Sequence, residues 1–181
     1  DAGYVAVLPA DLGNDLRNPV MTTLVKLGIP MEASHPEVAP SQHEIDPHYD
    51  EALIMADRVM ITRLIVKEVA AHNGVHATFM PKPLHGENGS GMHVHQSLFR
   101  GDDNAFFSAD DPDHLSDIAK SFIAGQLKHM REFTSVVNQY VNSYKRLVPG
   151  YEAPVYISWA HRNRPALIRV PPYVQGKEGT V

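Results

Sequence analysis

The sequence contains no cysteine, which excludes disulfides, thiolate-bound zinc and a cysteine nucleophile, and suits a reducing compartment. No apolar run approaches the roughly 20 residues of a membrane-spanning helix. Asp1-Ala2-Gly3-Tyr4 lacks the basic, apolar and small-residue sections of a signal peptide. These absences give the expectation of a soluble, cytoplasmic protein with no membrane partner. Basic charge is scarce too: 16 Lys and Arg against 21 Asp and Glu leave a net charge of −5. No nucleic acid is therefore expected, because phosphate backbones are held by clustered cations. Internal repeats, low-complexity tracts and linkers are missing as well. What is present, 43% apolar and 20% charged residues over 181 positions, is globular composition, and a chain this long hides roughly 70% of its unfolded surface without staples. The first residue is not Met and the last are Glu178-Gly179-Thr180-Val181, so a piece of a longer polypeptide is expected.

Periodicity and breakers divide the chain into mixed helices and strands, read as one α+β unit. Tyr4 to Leu8 is a buried strand and Asp11 to Leu27 a helix that Gly28 ends, with Pro19 unsettling its first turns. Ile29 to Glu37 and Gln42 to Asp46 are short extended pieces broken by Pro36 and Pro40. Asp50 to His72 is the clearest helix, with Leu53, Ala56, Met60 and Leu64 as its apolar stripe, Asp50 as its cap and Asn73-Gly74 as its end. Val75 to Met80 is extended, Gly86 to Gly91 is a glycine loop, and Met92 to Leu98 alternates like a strand. Asp110-Asp111-Pro112-Asp113 opens a helix over His114 to Arg131, whose apolar face is Leu115, Ile118, Phe122 and Ile123. A further helix spans Glu132 to Tyr144, and strands follow at Pro154 to Trp159 and Ala166 to Val170.

Three constellations could carry chemistry. In Asn88-Gly89-Ser90-Gly91-Met92-His93-Val94-His95, residues two apart share a strand face, so His93 and His95 would project together beyond a loop whose glycines let backbone approach a ligand. A His-x-His pair alone equally suits surface or packed histidines. The glycine spacing matches neither a Walker loop nor a dinucleotide fingerprint. The second is Glu32, Glu37 and Glu44 around His35 and His43, where Ala33, His35 and Glu37 share one face. Carboxylates with one imidazole suit Mg²⁺ or Mn²⁺, although the same spacing fits solvated surface groups. The third is Lys145-Arg146 with Arg162, Arg164 and Arg169. Between Lys145 and Glu178 six basic residues stand against two acids, so this segment suits a small anion that guanidinium forks can grip, although a solvated basic strand fits the same residues equally well.

In this order the motifs resemble the catalytic domain of type I glutamine synthetases, in the archaeal and Gram-positive style because of His43-Glu44-Ile45-Asp46. Met31 to Asp46 looks like the first carboxylate segment, Met80 to Leu98 like the ATP-binding signature, and Asn142 to Pro171 like the glutamate-and-phosphate segment. The resemblance implies a curved antiparallel sheet flanked by helices, with residues 1–181 as the central part of that domain. A small N-terminal domain and a C-terminal remainder would lie outside it, so this piece alone would be inactive. It further implies Glu37 and Glu44 on one divalent ion and His93 on a second, both Mg²⁺ or Mn²⁺. Asn88 and Gly89 would contact the amino-acid substrate, and Arg146 its carboxylate. His95, Ser97, Glu32 and Tyr49 would lie along ATP, with Arg164 and Arg169 facing the transferring phosphoryl group. Glu152 would take a proton from ammonium.

The implied reaction is ATP-dependent formation of glutamine from glutamate and ammonium through γ-glutamyl phosphate, in a double hexameric ring whose active sites are shared between subunits. The alternatives are a glutamate–polyamine or glutamate–amine ligase of the same superfamily and a catalytically silent relative. Departures from the family pattern fall at Pro36, His85, His161 and Pro165, the last of which would remove a donor inside a presumed strand.

Overall fold

The computed structural model describes residues 13–161, 165–173 and 181. The chain divides into two compact units, 1–90 and 91–181, where the sequence suggests one. The break falls within the glycine loop.

In the first unit, helix α1 (Asn14–Lys26) buries Arg17, Val20 and Leu24, three residues that spacings of three and four put on one stripe. Gly28 closes it at φ +80°. Gly28 N–H bonds Val25 C=O, and Ile29 N–H reaches back to Leu24 C=O, each at 3.0 Å, a pairing that only a left-handed residue permits. Helix α2 (Ala52–His72) ends the same way at Gly74, φ +70°. Asp50 does not cap α2. Glu51 is the capping residue, and Asp50 instead accepts from Glu51 N–H and pairs with Arg58 at 2.7 Å.

The expected apolar stripe of α2 is also displaced. Leu53, Ala56, Met60 and Leu64 are exposed, and the opposite side, Ile65, Val66 and Val69, packs on Val20, Leu24 and Ile29. Apolar residues surround α2, so periodicity alone could not choose its inward face. Strands β1 (Met31–Pro36) and β2 (His43–Pro47) form an antiparallel hairpin in which His35 faces Glu44 and Ala33 faces Asp46. Pro36 closes β1 and Pro40 sits in the turn, so neither needs the ladder donor it lacks. The expected strand at Tyr4 to Leu8 lies outside the described residues.

The second unit begins with a hairpin of β3 (Phe99–Arg100) and β4 (Asp103–Asn104). Helix α3 (Asp117–Val137) starts later than expected. The Ser116 hydroxyl accepts from Ala119 N–H at 3.1 Å and is the true cap, whereas Asp111 serves the preceding turn by accepting from Asp113 and Leu115 N–H groups. The helix continues past Arg131 to Val137, and a short α4 (Val141–Arg146) follows.

Strands β5 (Trp159–His161) and β6 (Ile168–Val170) pair in parallel. The core joins Phe106, Leu115, Ala119 and Ile123 to Ile168 and Val170; Ile118 is exposed, and Ala119 takes the inward place. Pro165 lies in the turn before β6, not in a strand, so its missing N–H interrupts no ladder. Val75 to Met80 and Met92 to Leu98 are not strands. Side-chain alternation needs only extended backbone, whereas a strand needs a paired neighbour. For the second segment the described pairing is Gln96 with Val181, at 2.8 and 3.0 Å. Among the described residues the strands form three two-stranded sheets, and no helix is long and apolar enough to cross a membrane.

Candidate functional site

The β1–β2 hairpin assembles the carboxylates. Because side chains alternate along a strand, Ala33 and His35 share a face with their partners Asp46 and Glu44. Beyond Pro36 the register closes with Glu37 N–H donating to Gln42 C=O at 2.8 Å, which keeps Glu37 beside Glu44. His35 Nε2 lies 3.7 Å from Glu44 Oε2, and its Nδ1 is 3.0 Å from Pro36 C=O. Donor atoms of His35, Glu44 and Asp46 all lie within 4.8 Å of one another.

A hydrogen bond with Glu37, partial burial and the charges of Asp46 and Glu37 push the Glu44 pKa up to about 7, against a lowering pull from His35. The Glu37–Glu44 proximity implied by the resemblance is therefore present. His35, already grouped with these carboxylates by the sequence, and Asp46 join the pair through the hairpin register, which the sequence reading did not use; alternation of Glu44 and Asp46 along β2 was the signal available for Asp46. Glu32 is exposed where the β1 register shifts, and Tyr49 is exposed and stacked on His48 at 4.5 Å.

The Asn88-Gly89 loop belongs to the same unit. Ser90 N–H bonds Pro81 C=O at 2.9 Å, the buried Lys82 ammonium donates to Glu87 C=O, and Gln42 donates from its side chain to Gly89 C=O at 3.0 Å. Gln42 is the residue that sequence reasoning passed over.

In the second unit, His93, His95 and Ser97 are exposed on a segment that is neither helix nor strand. Arg146 ends α4 with its guanidinium laid over Gly91, where a Cβ would come within 2.4 Å of Arg146 Nη2. Burial lowers the Arg146 pKa, and its Nε is buried with no hydrogen-bond partner among the described residues. A buried guanidinium with an unused donor is suited to receive a carboxylate. Glu152 is exposed and held at φ +54°, two residues after Gly150 at φ +93°. Arg169 is half-buried on β6, opposite Ala160. Arg164 lies outside the described residues. Of the departures, His161 has a local partner, Asp113 at 3.3 Å, and His85 is exposed in a loop.

Known proteins carry the same pattern. A family model described as glutamine synthetase, catalytic domain, matches residues 1–180. The glutamine synthetase of Thermotoga maritima is 55% identical over 93% of this chain, and that of Methanosarcina mazei is 54% identical over 93%. In both cases the match covers 38% of the relative, so the chain spans about two fifths of the length of these relatives. A cryo-electron microscopy structure of Plasmodium falciparum glutamine synthetase superposes with a TM-score of 0.91 at 34% identity, covering 98% of this chain and 35% of that one. This likeness bears out the expected α+β class. With its carboxylate hairpin, glycine loop and terminal arginine segment all inside a match of that extent, the chain belongs to the glutamine synthetase catalytic-domain family.

Proposed function

We propose that the full-length protein is an ATP- and Mg²⁺-dependent glutamate–ammonia ligase, cytoplasmic and assembled as a double hexameric ring with active sites shared between subunits. The observation that carries this reading is the hairpin that sets Glu44 beside Glu37, Asp46 and the His35 imidazole, 3.7 Å from Glu44. Carboxylate oxygens with one imidazole are the donors that Mg²⁺ or Mn²⁺ accepts, so Glu37 and Glu44 fit one cation, with His93 on a second. When bound, such cations neutralise the charge of phosphate oxygens.

The protein's own residues then divide the work. Arg146 grips the α-carboxylate of glutamate, and Asn88 with Gly89 orients the rest of that substrate. His95, Ser97, Glu32 and Tyr49 line ATP. Arg164 and Arg169 face the γ-phosphoryl group, so that the otherwise repelled γ-carboxylate can attack it and expel ADP. The γ-glutamyl phosphate so formed hydrolyses readily, and the Gly150–Glu152 turn is suited to shield it. Glu152 draws ammonium in and takes one proton from it. Ammonia then displaces phosphate to give glutamine.

The test is phosphate release by full-length protein with ATP, Mg²⁺, glutamate and ammonium. One phosphate per glutamine is expected. Phosphate release that follows putrescine or ethanolamine in preference to ammonium would make the protein an amine ligase, and none with any amine would make it a silent relative.

A further inference from the structure

Gln42 lies at the junction of two elements that are 47 residues apart. Its backbone carbonyl receives Glu37 N–H at 2.8 Å, it stands immediately before β2 and two positions before Glu44, and its side-chain nitrogen reaches beyond the hairpin. The side-chain oxygen accepts from Ala39 N–H at 3.0 Å. That contact fixes the amide orientation, because an NH₂ group facing a backbone donor would be repelled. The nitrogen therefore points at Gly89 C=O, 3.0 Å away, and at the Ser90 hydroxyl, 3.3 Å away. Gln42 thus makes three side-chain hydrogen bonds. One is local to the turn at Ala39, where the backbone bond from Glu37 N–H to Gln42 C=O persists whatever side chain stands at 42, and two hold the loop that carries Asn88 and Gly89.

We propose that Gln42 is a positioning residue that sets where the Asn88–Gly89 loop meets the amino-acid substrate relative to the Glu37–Glu44 carboxylates. The proposal rests on the ligase reading for the identity of that substrate, but not for the anchoring itself. Ser90 N–H and Lys82 hold the loop from its own sequence neighbourhood. Gln42 adds side-chain hydrogen bonds between this loop and the hairpin. Its side-chain amide is engaged by protein groups, so its loss is expected to act on glutamate binding through the loop and to leave the chemical step and the cation alone.

The test uses full-length protein with Gln42→Met, which keeps length and neutrality but removes all three bonds, and with Gln42→Ala as a second variant should Met misfit. Hydrogen–deuterium exchange of residues 84–91, read without substrates, should rise about tenfold, as expected for losing one or two net hydrogen bonds. The KM for glutamate should rise by a similar factor, about tenfold, while kcat, the KM for ATP and the Mn²⁺ dissociation constant stay within about twofold. Unchanged exchange in residues 84–91 would overturn the anchor, whatever reaction the protein catalyses. Faster exchange with an unchanged glutamate KM would overturn the positioning role. Equal losses in glutamate, ATP and Mn²⁺ binding would reduce Gln42 to a general packing residue. A wild-type protein that consumes no glutamate would instead remove the ligase reading, with the exchange result still deciding the anchor.

Discussion

A carboxyl group that stays protonated near neutrality must lose its proton before it can ligate a cation, so the Glu44 pKa of about 7 becomes a binding property. Below that pH, Mn²⁺ affinity should fall by up to about tenfold per unit, with a proton released for each ion bound. Calorimetry in buffers of different ionisation enthalpy measures that proton, and a pH-independent affinity between 5.5 and 7.5 would contradict the assignment. The sign for stability is opposite. The folded state holds this proton more tightly than the unfolded chain does, so metal-free stability declines as pH rises from about 4.5 to about 7. Glu44→Gln should raise metal-free stability at pH 8 and change it little at pH 4, as denaturant midpoints would show. Glu152 carries strain of another kind, because an L-residue at φ +54° costs about 1 kcal/mol. Both Glu152→Gly and Glu152→Ala should suppress glutamine formation with ATP binding intact, and Glu152→Gly should have the higher thermal midpoint. Wild-type turnover in either would remove Glu152 from proton transfer.

Elements differ in how openly the sequence announces them. Gly28 and Gly74 mark the ends of α1 and α2 because each must take a positive φ that few other residues tolerate. Gly28→Ala should accordingly cost about 1 kcal/mol, read as a shifted unfolding midpoint; an unshifted midpoint would mean the helix end relaxes freely. The start of α3 was hidden, since the aspartates at 110–113 look like a helix opening while Ser116 holds the cap. The inward face of α2 was hidden as well, because only the presence of α1 distinguishes Ile65, Val66 and Val69 from Leu53, Met60 and Leu64. Glu37 and Glu44 were legible as ligand types. His35 was legible beside them, but its place opposite Glu44 was not, because that depends on the hairpin register, and Gln42 was missed because its role depends on a contact 47 residues away. Gly91 belongs at this scale too: Gly91→Ala would push the flexible end of Arg146 off its seat without moving backbone. Little loss of stability and a glutamate KM at least about tenfold higher are expected, and an unchanged KM would free Arg146 from substrate recognition.

For the molecule as a whole, the unusual feature is how much apolar surface α2 leaves uncovered: Leu53 is 75%, Met60 66% and Leu64 58% exposed. Contiguous apolar surface of this kind favours association, and the chain spans 38% of its relatives' length. The 181-residue piece on its own should self-associate in light scattering, and Leu53→Glu with Leu64→Glu should reduce that; a monodisperse monomer would contradict the expectation. The account as a whole rests on the β1–β2 hairpin being the place where a divalent cation is held for phosphoryl transfer to glutamate. The most direct test is a Mn²⁺ titration of full-length wild-type and Glu44→Gln protein followed by electron paramagnetic resonance. Weakening of one class of site by about 100-fold, with folding unchanged, is the predicted result. Identical Mn²⁺ isotherms for the two proteins would contradict it.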